Sequence, residues 1–202
     1  MIMASISSDD FTRPPLEPYV RLLTAADLAA LPDELPTGPV DYELDNGRLV
    51  MISPTGWRHG SLQTRIASAL YGHGEQEGHG QVFCETGIIL WRKPDRVLGP
   101  DVAFVARRSM PLQESPEGYL ETIPELVVEV RSKNDSKPYV ERKVADFLKA
   151  GVKIVWVVDP NAETVTDYHA DVAPRVFDVS ATLYCEEIIP GFSLPLAELF
   201  RE

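Results

Sequence analysis

Between residues 125 and 160 the chain spells out a strand, a helix and a second strand in succession, and this block limits the possible folds more than any other stretch. Leu126 to Val130 is a short apolar, β-branched run of the kind that forms a central strand. From about Ser136 to Ala150, Val140, Val144, Phe147 and Leu148 return at helical spacing, and Gly151 marks the helix end. Val152 to Val158 then reads as a strand stopped by Asp159-Pro160. Such alternation belongs to α/β proteins. One residue sits uneasily in it. The period of two places Glu129 on one face with Val127 and Arg131, and Leu126, Val128 and Val130 on the other. A carboxylate in an apolar strand has to be paired, hydrogen-bonded or metal-bound, because burying an isolated charge is costly.

The remaining pattern extends the class. Residues 1 to 23 mix Ser, Asp and prolines without periodicity and read as an N-terminal arm, leaving 24 to 202 as a single domain. Thr24 can cap a short helix through Leu31, with Asp27 completing a capping box. Asp41 to Leu44 and Arg48 to Ile52 flank Asn46-Gly47, a hairpin signal. Gly56 to Tyr71 predicts a core-packed helix on Leu62, Ile66, Ala69 and Leu70, broken by Gly72, Gly74, Gly78 and Gly80. Strands are expected over Val82 to Trp91 and Val102 to Ala106. Shorter ones are expected over Thr164 to Tyr168, Arg175 to Val179 and Leu183 to Glu187.

The net charge of −12 speaks against binding nucleic acid by bulk attraction. The charge is uneven, however. Residues 131 to 153 carry seven basic and three acidic side chains, a balance of +4, while the rest of the chain stands at −16. A solvated helix face is the plainest account of such a run. Cys84 and Cys185 lie far apart without a CxxC partner, which fits neither a disulfide framework nor a thiolate zinc site. No apolar run is long enough to cross a bilayer, and Met1 to Asp10 lacks a basic leader with an apolar core, so a cytoplasmic protein is expected.

Asp101 follows Gly99-Pro100 and opens the strand from Val102, so its carboxylate stands at a strand mouth; alone, the pair reads as a turn. For Glu129 the plain fate is an ion pair with Arg131 or another cation. The sharper one is a metal. Mg²⁺ takes hard oxygen ligands and keeps several waters, so Asp101, Glu129 and the backbone carbonyl of Val130 meet its needs. Lys143, at the edge of the helix stripe, either snorkels past the core or brings its ammonium to the strand mouth.

Further fragments appear in order: Tyr42-Glu-Leu-Asp-Asn-Gly-Arg-Leu, Ser53-Pro-Thr with His59, Gly99-Pro-Asp-Val-Ala, Pro124-Glu-Leu-Val-Val-Glu-Val-Arg-Ser, Lys143 to Phe147, Ala150-Gly-Val, Trp156-Val-Val-Asp-Pro and Pro190-Gly-Phe-Ser-Leu. With these the chain resembles the bacterial Domain of Unknown Function 820 group of restriction-endonuclease-like proteins, within the PD-(D/E)xK nuclease superfamily. The resemblance implies a restriction-endonuclease-like core, a mixed central sheet flanked by helices, with additional short antiparallel strands. It implies Asp101 and Glu129 as the two carboxylates and Lys143 as the lysine of an Mg²⁺- or Mn²⁺-dependent endonuclease acting on DNA, as a homodimer. The superfamily pattern sets lysine two residues beyond the second carboxylate, where this chain has Arg131, so the helix lysine takes that role. Glu43, His59 and Arg131 are accessory candidates.

His73 and His79, with Glu75 and Glu77, read as a mobile, hydrated turn, and Trp91 and Trp156 as core or dimer contacts. No phosphate-cradling glycine loop, GxSxG elbow or HExxH helix occurs. Two other readings stand beside the nuclease: a catalytically silent dimeric scaffold or binding protein, and an enzyme of small phosphorylated substrates working in a closed pocket.

Overall fold

The structure, a computed structural model, describes residues 21–36, 38–133 and 135–201. Most of the expected N-terminal arm lies outside the described residues; only its last three, Arg21 to Leu23, fall within them. The elements in chain order are α1 (Ala25–Ala29), β1 (Glu34–Leu35), β2 (Gly38–Pro39), β3 (Asp41–Asp45), β4 (Arg48–Ile52), α2 (Trp57–Leu70), β5 (Gly80–Phe83), β6 (Ile88–Trp91) and β7 (Arg96–Leu98). They continue with β8 (Val102–Ala106), β9 (Leu126–Val130), α3 (Lys137–Ala150), β10 (Ile154–Asp159), β11 (Thr164–His169), β12 (Arg175–Phe177), β13 (Thr182–Tyr184), β14 (Ser193–Pro195) and α4 (Leu196–Leu199).

Local chemistry accounts for several of these boundaries. Thr24 and Asp27 form the reciprocal capping box of α1. Asn46 and Gly47 both take positive φ, 51° and 78°, which lets the β3–β4 hairpin turn in two residues. Helix α3 starts on Ser136, whose hydroxyl accepts from the Tyr139 N–H, carries Pro138 in its first turn, and ends on left-handed Gly151 at φ 110°.

Two sheets carry the fold. The larger runs β12-β11-β10-β9-β8-β5, with β9 and β10 parallel and every other pair antiparallel. The smaller, antiparallel sheet runs β4-β3-β7-β6. Strand alternation divides the core as expected. Leu126, Val128 and Val130 pack with α2 and the C-terminal segment, while Val127 packs on the opposite face with Val144 and Phe147 of α3. A third cluster, with Leu28, Leu44 and Val97, joins α1 to the smaller sheet. No described helix is long and apolar enough to cross a membrane.

Two readings need correction. Val82 to Trp91 is not one strand: Gly80–Phe83 joins the larger sheet and Ile88–Trp91 the smaller, with Glu85 at φ 51° in the bend between them. The β-branched composition was read correctly, but it carries no mark of which sheet a strand joins. The glycines after Tyr71 do not end the helix either. The chain continues as a π-helical turn over Tyr71–Glu75. Gly74 in this turn and Gly80 at the start of β5 serve close approach, since a Cβ on Gly74 would lie 2.5 Å from the Phe104 ring, and one on Gly80 would lie 2.2 Å from the Val105 carbonyl. Gly74 is buried, while His73 and Glu77 stay exposed, His73 meeting Phe192 edge-on at 5.8 Å.

Candidate active site

Antiparallel pairing sets Val102 of β8 opposite Val128 of β9, which brings Asp101, one residue earlier, alongside Glu129. Asp101 is fixed there by its neighbour strand: Oδ2 accepts the Val130 N–H at 2.6 Å. His59, in the first turn of α2, is buried and sets Nε2 3.3 Å from the same oxygen. Burial alone would lower its pKa. The hydrogen bond and charge of Asp101, helped by Asp135 and the Val130 carbonyl, outweigh burial and raise it.

Lys143 does not snorkel. The parallel β9–β10 pair holds α3 over the sheet, and the lysine is buried with its ammonium 2.8 and 2.9 Å from the two oxygens of Glu129. It also lies 3.2 Å from Glu43 Oε1. Glu43 reaches this point from β3 of the smaller sheet, is 4% exposed, and accepts from the Gly99 N–H at 3.2 Å and the Tyr139 hydroxyl at 3.4 Å. The site thus draws one carboxylate from each sheet around a helix-borne amine, with Asp101 close enough to act on Glu129 through its charge.

Charge is unbalanced in this cluster. Glu43 and Glu129 share the one ammonium of Lys143, and Asp101 pairs with His59. Burial, then the charges of Asp101 and Glu43, push the Glu129 carboxyl up to about 8 against the opposing pull of Lys143. Burial disfavours the Lys143 cation as well, yet Glu129 and Glu43 overcome it and hold its pKa above the usual lysine value. Glu129 Oε1 is buried and, though 2.8 Å from the ammonium, lies at an angle that makes no hydrogen bond. His59 Nδ1 is likewise buried without a partner. Carboxylates gathered at one point are the hard oxygen donors that a hard cation prefers. Among the described residues no set of three or more His, Cys, Asp or Glu side chains is arranged to hold a metal.

Of the sequence candidates, Asp101, Glu129, Lys143, Glu43 and His59 meet here, and Arg131 does not. Its guanidinium turns to Asp159 at the end of β10, in a close ion pair, and Glu129 takes Lys143 as its cation instead. Two neighbours escaped the sequence reading. Tyr139 lies one turn before Lys143 on α3, and Gln63 one turn after His59 on α2, where its amide donates to the Asp101 carbonyl at 3.1 Å and to Glu85 at 3.0 Å. The i, i+4 spacing was the available signal in both cases.

These groups floor an open cleft of about 1280 Å³, walled by the β3–β4 hairpin, the start of α2 and the start of α3. Arg58, Arg131, Lys133 and Arg142 line it with Lys143, as do Gly56 and Ser136, the N-caps of the two helices. Its five basic and six acidic side chains come near to balance in a chain of net charge −12. Helix starts and cations in the lining favour an anion.

The family model described as "Uma2: Putative restriction endonuclease" matches residues 26–197. No curated protein matches the chain. A crystal structure from Anabaena variabilis ATCC 29413, described as "a putative nuclease belonging to DUF820", superposes with a TM-score of 0.72 over 88% of this chain and 97% of that one, at 20% sequence identity. That likeness is one of fold.

Proposed function

Because the chain belongs to the Uma2 family, whose fold is nuclease-like, we propose that it is a metal-dependent endonuclease hydrolysing phosphodiester bonds of DNA. The observation that carries this reading is the acidic cluster at the cleft floor: Glu43 and Glu129 on the Lys143 ammonium, with Asp101 acting on Glu129 through its charge and paired with His59. Asp101, Glu129 and the Val130 carbonyl would hold Mg²⁺ or Mn²⁺. When bound, such an ion supplies a Lewis acid for the phosphate and a more acidic water.

The chain's own residues divide the remaining work. Arg58, Lys133 and Arg142 on the cleft wall bind backbone phosphates, which sets the strand over the floor. Lys143 holds a positive charge beside the scissile phosphate and offsets the negative charge that grows there during attack. Glu43, itself held by Gly99 and Tyr139, keeps that ammonium in place. The Val130 N–H and His59 do the same for Asp101. A homodimer would offer one such cleft to each strand of a duplex.

The test is cleavage of plasmid and oligonucleotide DNA with Mg²⁺ or Mn²⁺, and with EDTA, by the wild type, Asp101→Asn and Lys143→Ala. Either variant is expected to lose at least about 100-fold, the scale of removing one preorganised charge from a transition state. Equal, metal-independent background in all three proteins overturns the proposal. One observation favours a second reading: Lys143 already satisfies both oxygens of Glu129 in distance, as a buried ion pair in a silent scaffold would. That outcome is the one equal background would support.

A further inference from the structure

The cleft does not end at its acidic floor. Arg58 and Pro160 line both the cleft and a smaller hollow beside it, whose other walls include Trp57, Arg65, Phe200 and Arg201. Trp57 stands at this junction, 74% exposed, in the first turn of α2 and two residues before His59. The other two tryptophans are engaged. Trp156 is buried and donates its indole N–H to Asp167 at 3.1 Å, and Trp91 donates to Asn46 at 3.1 Å with the Lys149 ammonium 4.4 Å above its ring. Trp57 instead carries the Arg58 guanidinium 5.5 Å from its ring centre.

The surroundings decide what this ring can bind. Three arginines and one acid, Glu163, border the hollow, in a protein whose total charge is −12. A flat aromatic face beside guanidinium groups suits a ligand that is itself flat and anionic. An unpaired nucleobase on its phosphate backbone meets both conditions. Bases inside a continuous duplex are stacked on one another and offer no free face.

We propose that Trp57, backed by Arg58, is a stacking platform for one unpaired nucleobase of a DNA strand that enters the cleft past Arg58 and Pro160. The protein then favours single-stranded DNA or unpaired ends over continuous duplex. The proposal rests on reading the cleft as a DNA site, and it specifies the substrate class of that site.

The experiment measures binding by the full-length protein in EDTA, so that hydrolysis plays no part. The probes are a labelled oligothymidylate, an abasic oligonucleotide of the same length and a blunt duplex, each titrated against the wild type, Trp57→Ala and Trp57→Phe. Anisotropy and quenching of tryptophan fluorescence are the readouts. Oligothymidylate is expected to quench the wild type, and Trp57→Ala to weaken its binding between about 5- and 150-fold, the range that stacking one base on an aromatic ring spans. Trp57→Phe should retain most of the affinity. The abasic probe should bind the wild type as weakly as oligothymidylate binds Trp57→Ala, and duplex binding should be unchanged by either substitution. Because Trp57 is exposed, an unchanged denaturation midpoint accompanies these results.

Equal oligothymidylate affinity for the wild type and Trp57→Ala overturns the proposal, as does an equal loss for all three probes. A change of mass in light scattering with unaltered DNA binding also overturns it, and assigns the ring to a contact between copies. Cleavage that depends on Lys143 but not on Trp57 would leave the nuclease reading standing without this one. Trp57-dependent binding without any cleavage would do the reverse.

Discussion

Replacing Lys143 with methionine removes the ammonium while keeping most of the side-chain length, and so exposes how the buried carboxylates are compensated. The amine lies 2.8 Å from Glu129 and 3.2 Å from Glu43, and all three side chains are largely out of water. Breaking a buried pair by removing one partner costs about 3 to 5 kcal/mol, because the remaining charge is left without solvent or counterion. For a chain of this size that lowers the melting temperature by on the order of 10 °C. The sign with pH follows from Glu129. Its carboxyl is already held above the ordinary value by burial, and it rises further once Lys143 is gone. A group whose folded pKa is raised contributes stability below its unfolded pKa and loses it as pH rises through the folded value. The deficit of Lys143→Met should therefore be small near pH 4, where the Glu129 carboxyl is protonated, and grow toward pH 9. Guanidinium denaturation in EDTA at four pH values across that range measures it. Adding Glu129→Gln should recover part of the loss, since a neutral pair needs no counterion. Equal midpoints for wild type and Lys143→Met at every pH would refute the reasoning, since the ammonium would then not be compensating buried charge.

Three further outcomes test the packing and the electrostatics. Gly80→Ala places a Cβ 2.2 Å from the Val105 carbonyl, a backbone atom that cannot swing aside, and should cost about 3 kcal/mol by denaturant titration, whereas Gly72→Ala, with open space at its Cβ, should cost nothing. His59 has its pKa raised by Asp101, so the stability it adds is present below the usual histidine pKa and lost as pH rises through the folded value. His59→Gln should thus fall further below the wild type at pH 5.5 than at pH 8.5 in urea midpoints. Burial and the charge of Glu43 push the Tyr139 phenol up to about 12, which keeps it a donor to Glu43 across the working range; over a bond of 3.4 Å, Tyr139→Phe should lower stability by only about 0.5 kcal/mol at any pH from 6 to 9.

Much of this arrangement was legible wherever one residue type has a single economical use. Gly151 after an amphipathic run, Asn46-Gly47 between alternating strands, and a glutamate inside Leu126 to Val130 each admit few solutions, and the fold adopts them. Asp101 became readable as soon as a strand was placed after it. The remainder depended on partners far apart in the chain. Periodicity puts Lys143 at the edge of a stripe but cannot say that Glu43, 100 residues earlier, waits beyond it. Arg96 shows the same gap. Nothing in Arg96-Val-Leu suggests a buried guanidinium, yet it clasps Asp45 of β3 and Asp146 of α3 and so ties the smaller sheet to the helix bearing the lysine. The glycines after Tyr71 were misread for a related reason, because Phe104, which crowds Gly74, comes from another strand.

Setting the amine on α3, rather than two places along β9, separates order in the chain from order in space. A motif scanner looking for lysine just past the second acid finds Arg131 and passes over this protein, although an amine stands 2.8 Å from that acid. Relatives arranged this way are better sought by the distance between an acid and an amine in three dimensions. Residue 131 answers to Asp159 and to the Asp135 carbonyl instead of to the acid two places before it.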